Sequence, residues 1–177
     1  MKANPIQKIA IVGPESTGKT TLAMDLAHAL HTQWVPEYAR TYLEQLERPY
    51  ERKDLVDIAK GQLRAESKAL SQAQQWLICD TNLLVVQIWE EYKYGALSPS
   101  IEALINLSDY QLHFLTSTDL PWAPDPQREN PDLNERKELF DLYEAALIKA
   151  KVPYVILSGT REKRLQQALQ AIQHLPF

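Results

Sequence analysis

Residues 13–20 read Gly13-Pro14-Glu15-Ser16-Thr17-Gly18-Lys19-Thr20, a complete Gly-x4-Gly-Lys-Thr phosphate-binding loop. An apolar strand candidate at residues 9–12 precedes it, and a helical stretch at residues 20–30 follows. Glycines let the backbone curl so that several N–H groups face one centre, and the helix N-terminus adds partial positive charge. Lys19 supplies a point charge toward a β- and γ-phosphate, and the Thr20 hydroxyl suits Mg²⁺. A chance match is rare in a chain with only 5 Gly. The expected ligand is a nucleoside triphosphate, lying along Gly13, Glu15, Ser16, Thr17, Gly18, Lys19, Thr20 and Thr21.

Working outward, 177 residues suit one domain, residues 1–177. Hydrophobic residues at 45% and charged residues at 24% describe an ordinary globular protein. The net charge of −4 argues against extended nucleic-acid binding, which needs a basic face. Cys79 is the single cysteine and forms no internal disulfide, which fits a reducing cytoplasm; its expected place is a buried strand. No apolar run approaches the length of a membrane span. Residues 1–12 carry Pro5 and Lys8 and read as a structural strand rather than a signal peptide.

Four more short apolar runs, at residues 33–35, 76–80, 110–115 and 154–157, read as buried parallel strands. Helices are expected at residues 18–30, 39–46, 53–74, 82–94, 101–106, 134–150 and 161–173. Residues 82–89 fit either a strand or a buried helix by pattern; helix is preferred because Thr81 or Asn82 offers a cap. Alternating strands and helices imply an α/β fold, a parallel sheet covered on both faces, with ligands beyond the carboxyl ends of the strands. Residues 116–136 hold four of the 11 prolines, with Arg128 among them, and read as an ordered lid.

Glu37 follows the second strand directly, after Pro36, and Asp80 ends the third. Asp80 is placed to complete the metal site that Thr20 begins. A kinase acting on a hydroxyl needs a carboxylate beside it, and Glu37 is placed for that work; Glu37 and Asp80 can exchange roles on sequence alone. Arg128 in the lid and Arg136 at a helix start are candidates to neutralise the transferring phosphoryl group, and Arg40 lies one turn past Glu37. Tyr38, Trp89 and Trp122 are candidates to stack on a flat substrate ring. Glu15 bears on substrate or metal with less support. The turn at Ser158, Gly159 and Thr160 lies where an adenine base would be expected. His28, His31, His113 and His174 show no ligand spacing.

Residues 13–22, Val-Pro-Glu-Tyr-Ala-Arg at 35–40, Cys-Asp-Thr at 79–81, and Leu-Pro-Trp with Asp-Pro-Gln-Arg within 120–128 together resemble the ribosylnicotinamide kinase domain of NadR-like proteins. The resemblance spans residues 9–169. It implies a three-layer P-loop NTPase fold, a five-stranded sheet in the order 2-3-1-4-5. It also implies transfer of the ATP γ-phosphate to the 5′-hydroxyl of nicotinamide riboside, with ATP and Mg²⁺ as cofactors. Proteins of this kind often carry an adenylyltransferase domain, some also a DNA-binding helix-turn-helix. No motif for either is present in this sequence, and neither activity is expected of it.

Two other readings compete. One is a kinase for another nucleoside or for a nucleotide; a monophosphate acceptor would need extra basic residues. The other is an ATP-dependent switch or binding module that acts through a partner. The expected partner is a small-molecule nucleoside, with no nucleic acid and no membrane.

Overall fold

The computed structural model describes residues 5–175. Residues 1–4 of the expected first strand lie outside them. The strands are β1 (Gln7–Val12), β2 (Gln33–Val35), β3 (Trp76–Asp80), β4 (Tyr110–Thr116) and β5 (Tyr154–Leu157). They form one parallel sheet in the order β2-β3-β1-β4-β5, as the resemblance implied. Ile9, Ala10, Ile11 and Val12 are fully buried because β1 is central and both of its faces are covered.

The helices are α1 (Lys19–Ala29), α2 (Tyr38–Glu44), α3 (Asp54–Leu70), α4 (Leu83–Tyr94), α5 (Pro99–Glu102), α6 (Leu133–Ala150) and α7 (Arg161–Gln173). Ile9 and Ile11 pack on Leu22 and Leu26 of α1 and Ala168 and Ile172 of α7. Ala10 and Val12 face the other way, onto Leu84 and Ile88 of α4 and Leu139 and Tyr143 of α6. The period-2 alternation of β1 thus divides the core into two layers. A third cluster joins Ala39, Leu55, Ile58, Leu83 and Ile101 away from the sheet.

Three helix boundaries differ from expectation. α3 stops at Leu70 rather than residue 74, because the Ser71 hydroxyl turns back to the Lys68 carbonyl at 2.8 Å and the chain must enter β3. The helix expected at 101–106 lies at Pro99–Glu102, started by Pro99 in its first turn, with a 3-10 turn at Leu107–Asp109 after it. α6 begins at Leu133 because Asp132 caps it, accepting from the N–H groups of Asn134 and Glu135. The ambiguous 82–89 stretch is helix, with the Asn82 carboxamide capping Leu84 N–H at 3.0 Å. Among the described residues no helix is long and apolar enough to cross a membrane.

Candidate active site

The carboxyl ends of the strands open into a cleft of about 1020 Å³. Residues 13–21 form one wall. Gly13 (φ 137°) passes so close to β4 that an added Cβ would stand 2.6 Å from the Thr116 hydroxyl and 2.9 Å from its carbonyl oxygen. Ser16 and Gly18 also take positive φ, and Gly18 opens α1. The N–H groups of Ser16, Gly18 and Lys19 donate to no protein acceptor among the described residues. A curl of unpaired amides at a helix N-terminus is an anion site. Lys19 Nζ lies back on the loop, donating to the carbonyls of Gly13 (2.9 Å) and Pro14 (2.7 Å).

Beneath the loop, Thr20 Oγ1 donates to Asp80 Oδ2 at 2.5 Å, although the two are 60 positions apart. Asp80 Oδ1 is buried with no partner. Burial pushes the Asp80 carboxyl above the usual carboxylate range, opposed by the Thr20 hydrogen bond and by Lys19. Two hard oxygens, one with an unused lone pair, fit Mg²⁺, which takes one or two protein oxygens and leaves the rest to phosphates and water. No cluster of three or more His, Cys, Asp or Glu side chains that could hold a metal occurs among the described residues. Thr81 follows with φ 74°, a strained conformation for a β-branched residue, as the chain leaves β3 for α4.

Glu37 lines the cleft opposite the loop and is half-buried. It occupies the N-cap of α2, but its side chain makes no capping bond. Burial raises its carboxyl above the ordinary value; Lys19 opposes this and the Asp80 charge adds to it. Beyond Glu37 the wall is Leu43, Tyr50, Trp89 and Tyr92. The Tyr50 and Trp89 rings meet edge-on at 4.9 Å, and Trp89 Nε1 donates to the Tyr50 hydroxyl at 2.9 Å.

The segment between β4 and α6 lies over the cleft and is fastened on three sides. Glu15 accepts from Glu129 and Asn130 N–H, and Ser16 Oγ accepts from Ala123 N–H at 2.9 Å. Arg128 reaches Ser16 Oγ at 3.4 Å and also donates to the Ala123 carbonyl. Arg40 pairs with Asp125 at 3.0 Å, and Glu129 with Lys93 at 2.9 Å and the Tyr50 hydroxyl at 3.0 Å.

The structure therefore brings Lys19, Thr20, Thr21, Glu37, Arg40, Trp89 and Arg128 to one cleft, with Asp80 under its floor. Arg136 does not line the cleft, but it shares a face of α6 with Leu139 and Tyr143, which do. It is buried, and its Nε and Nη1 have no acceptor. Three expected residues stand elsewhere. The Tyr38 ring packs on Gly61 of α3, because α2 and α3 meet there. Trp122 is half-buried outside the lining, with Nε1 unpaired. Gly159 (φ 93°) turns away from the cleft, its N–H on Asp119 Oδ2 at 2.6 Å.

Sequence reasoning passed over Tyr50, Tyr143 and Arg164. Tyr50, beside Pro49 between two helices, carried the signal of an aromatic in a loop. Tyr143 falls seven positions after Arg136, on the same helix face. Arg164 gave no signal, since it reads as the polar side of α7. It is 3% exposed and joins three loops, donating to Thr17 O (2.7 Å), Gly159 O (2.9 Å) and Ser117 O (3.1 Å), and to Asp119.

Comparison with known proteins agrees with this architecture. The trifunctional NAD biosynthesis/regulator protein NadR of Escherichia coli (strain K12) is 29% identical over 156 residues, covering 85% of this chain and 38% of that protein. The chain spans 38% of the length of the curated relatives it matches. A crystal structure of NadR protein in complex with NAD and AMP-PNP has a TM-score of 0.80 at 22% identity, covering 97% of this chain and 50% of that one. NadR protein in complex with NR gives 0.77 at 21%, covering 97% and 51%. Thymidylate kinase from Ehrlichia chaffeensis gives 0.66 at 16%, covering 98% and 100%. At these identities the structural likeness is one of fold, that of P-loop kinases. A family model described as an AAA domain matches residues 8–164, so with its phosphate loop, sheet order and NadR relatives in agreement, this chain belongs to that AAA domain family.

Proposed function

We propose that the protein is an ATP-dependent kinase that phosphorylates the 5′-hydroxyl of a nucleoside, nicotinamide riboside first among them. The observation that carries this reading is Glu37: an unbonded, half-buried carboxylate facing a phosphate loop across one covered cleft.

The acceptor half of the cleft favours a nucleoside over a nucleotide. Beside the aromatic wall Arg40 is engaged by Asp125, Arg48 by Asp54 and Lys93 by Glu129, while Arg128, on the covering segment, has no acid partner and is assigned to the transferring group. A monophosphate acceptor would need an unpaired cation there. The aromatic wall of Tyr50, Trp89 and Tyr92 suits a flat ring, and the faces of such rings attract a cationic one such as a pyridinium. Relatives bearing the NadR name support the same choice, since one structure is a complex with NR.

In this reading the triphosphate lies along the loop amides, and Lys19 leaves the Gly13 and Pro14 carbonyls for the β- and γ-phosphates. Thr20 and Asp80 would hold Mg²⁺, which offsets charge on the phosphates when bound. Glu37 accepts the proton as the acceptor oxygen bonds to the γ-phosphorus and the bond to the ADP oxygen breaks. Arg128 offsets charge on the transferring group. The segment fastened over the cleft excludes water, which would otherwise compete as acceptor.

The test is incubation with MgATP and a panel of nucleosides and their monophosphates, read by mass spectrometry. The expected result is a mass gain of one phosphate on nicotinamide riboside, none on nicotinamide mononucleotide, and ADP in equal amount. ADP release with no phosphorylated small molecule would overturn the proposal.

A further inference from the structure

Glu37 is the N-cap residue of α2, a position from which short polar side chains accept from the second or third helix amide. Asn82 accepts in this way from Leu84 N–H, Asp132 from Asn134 and Glu135, and Thr160 from Lys163, whereas Ser98 makes no such bond. Nor does Glu37. The first amide of α2, Tyr38 N–H, donates instead to Gln62 Oε1 of α3 at 2.9 Å.

Gln62 is held in that orientation from behind. It is 3% exposed, and its Nε2 lies 3.5 Å from Glu66 Oε1. Glu66 is itself fixed by the Tyr110 hydroxyl (2.8 and 2.9 Å) and by Lys8 Nζ (3.1 Å). An acid beside Nε2 keeps the amide nitrogen toward Glu66 and the oxygen toward Tyr38. The neighbouring residue makes the approach possible. Gly61 lies inside α3, where glycine is unfavourable relative to alanine. A Cβ there would stand 1.9–2.4 Å from atoms of the Tyr38 ring.

We infer that Gln62, seated beside Gly61, is a positioning residue: it holds the first amide of α2 from α3 and so fixes the backbone that carries the Glu37 carboxylate to the acceptor. The inference rests on the reading of Glu37 given above. Without Gln62 the partly buried Tyr38 N–H loses its acceptor, and the start of α2 is free to shift. Glu37, one residue away, shifts with it, and its side chain comes within reach of the second or third amide of α2, the amides that Asp132 takes on α6. Capture there withdraws it from the cleft.

The experiment compares Gln62→Leu, Gln62→Asn, Glu37→Gln and the double variant Gln62→Leu/Glu37→Gln, assayed with MgATP and nicotinamide riboside. The shorter asparagine keeps a polar side chain in place should leucine compromise folding. Loss of positioning lowers kcat by about 10²-fold while the KM for ATP stays unchanged. Because Gln62 acts through Glu37, the double variant turns over no more slowly than Glu37→Gln alone. Additive losses, or full kcat in both Gln62 variants while Glu37→Gln is impaired, overturn the inference and leave the reading of Glu37 standing. Full activity in Glu37→Gln overturns that reading and the inference with it. A crystal structure of Gln62→Leu or Gln62→Asn supplies a readout free of activity. Glu37 bonded to an α2 amide supports the inference; an unmoved carboxylate overturns it.

Discussion

The Glu15 carboxylate, inside the phosphate loop, accepts the backbone N–H of Asn130 at 3.0 Å across 115 positions of sequence. Both of its oxygens also lie 3.0 Å from Glu129 N–H. The cover of the cleft is therefore tied to the loop it covers. Glu15→Ala removes these acceptors while Ser16 still holds Ala123. Amide hydrogen exchange at residues 129–130 should rise roughly ten-fold, the equivalent of about 1.4 kcal/mol of lost hydrogen bonding. Exchange unchanged there would mean the segment is held by its other contacts alone.

Among the described residues Lys19 Nζ bonds only to two loop carbonyls. Lys19→Ala should leave Tm within about 2 °C, since Lys19 forms no direct ion pair among the described residues and acts on Asp80 and Glu37 only through space. Turnover should fall ~10³-fold or more if the ammonium bears on the transferring phosphate. Near-normal kcat in a steady-state phosphate-transfer assay contradicts that role.

Glu37 carries a stability cost. Burial raises its carboxyl above the ordinary range, so the folded protein binds that proton more tightly than the unfolded chain. The stability this gives is fully present below the unfolded value near pH 4 and is lost as pH rises through the raised one. Around neutrality Glu37 is thus a net liability to the fold. Glu37→Gln should raise the denaturation midpoint at pH 7 while cutting kcat by ~10²-fold or more. A lowered midpoint by urea denaturation would show that Lys19 outweighs burial.

His113 titrates in the opposite sense. Its ring lies fully buried on β4, between the Asn82 carboxamide at 3.1 Å and the Pro153 carbonyl at 3.4 Å, and burial pushes its pKa down to about 4. The stability from a neutral imidazole is present above the unfolded value near 6.5 and is lost as pH falls through the folded one. About 3 kcal/mol should disappear between pH 7 and pH 4. Denaturant melts of the wild type and of His113→Asn across that range check it. An equal acid slope in the variant would assign the loss to other groups.

Much of the site's donor half was written locally. The phosphate loop needs only eight consecutive residues, and its strand and helix flanks follow from short-range apolar pattern and glycine conformations. The five strands were legible for the same reason, as buried parallel strands are short apolar runs with polar boundaries. Helix ends were less so. The Ser71 back-bond and the Asp132 cap fix them, and each competes with a pattern that continues past it.

The sequence by itself thus determined the class of fold and singled out the phosphate loop and its candidate carboxylates. It also put Glu37 and Asp80 at strand ends, where neighbouring parallel strands deliver them to one edge. Tertiary structure alone decided who meets whom. Thr20 finds Asp80, Glu15 finds Asn130, and Gln62 of α3 takes the first amide of α2. It also turned Arg164 from an apparent surface charge into a buried tie among three loops, and sent Tyr38 to Gly61 instead of the cleft. The physical reason is range: propensity and periodicity act over a few residues, whereas burial and hydrogen-bond satisfaction are settled between elements far apart in the chain.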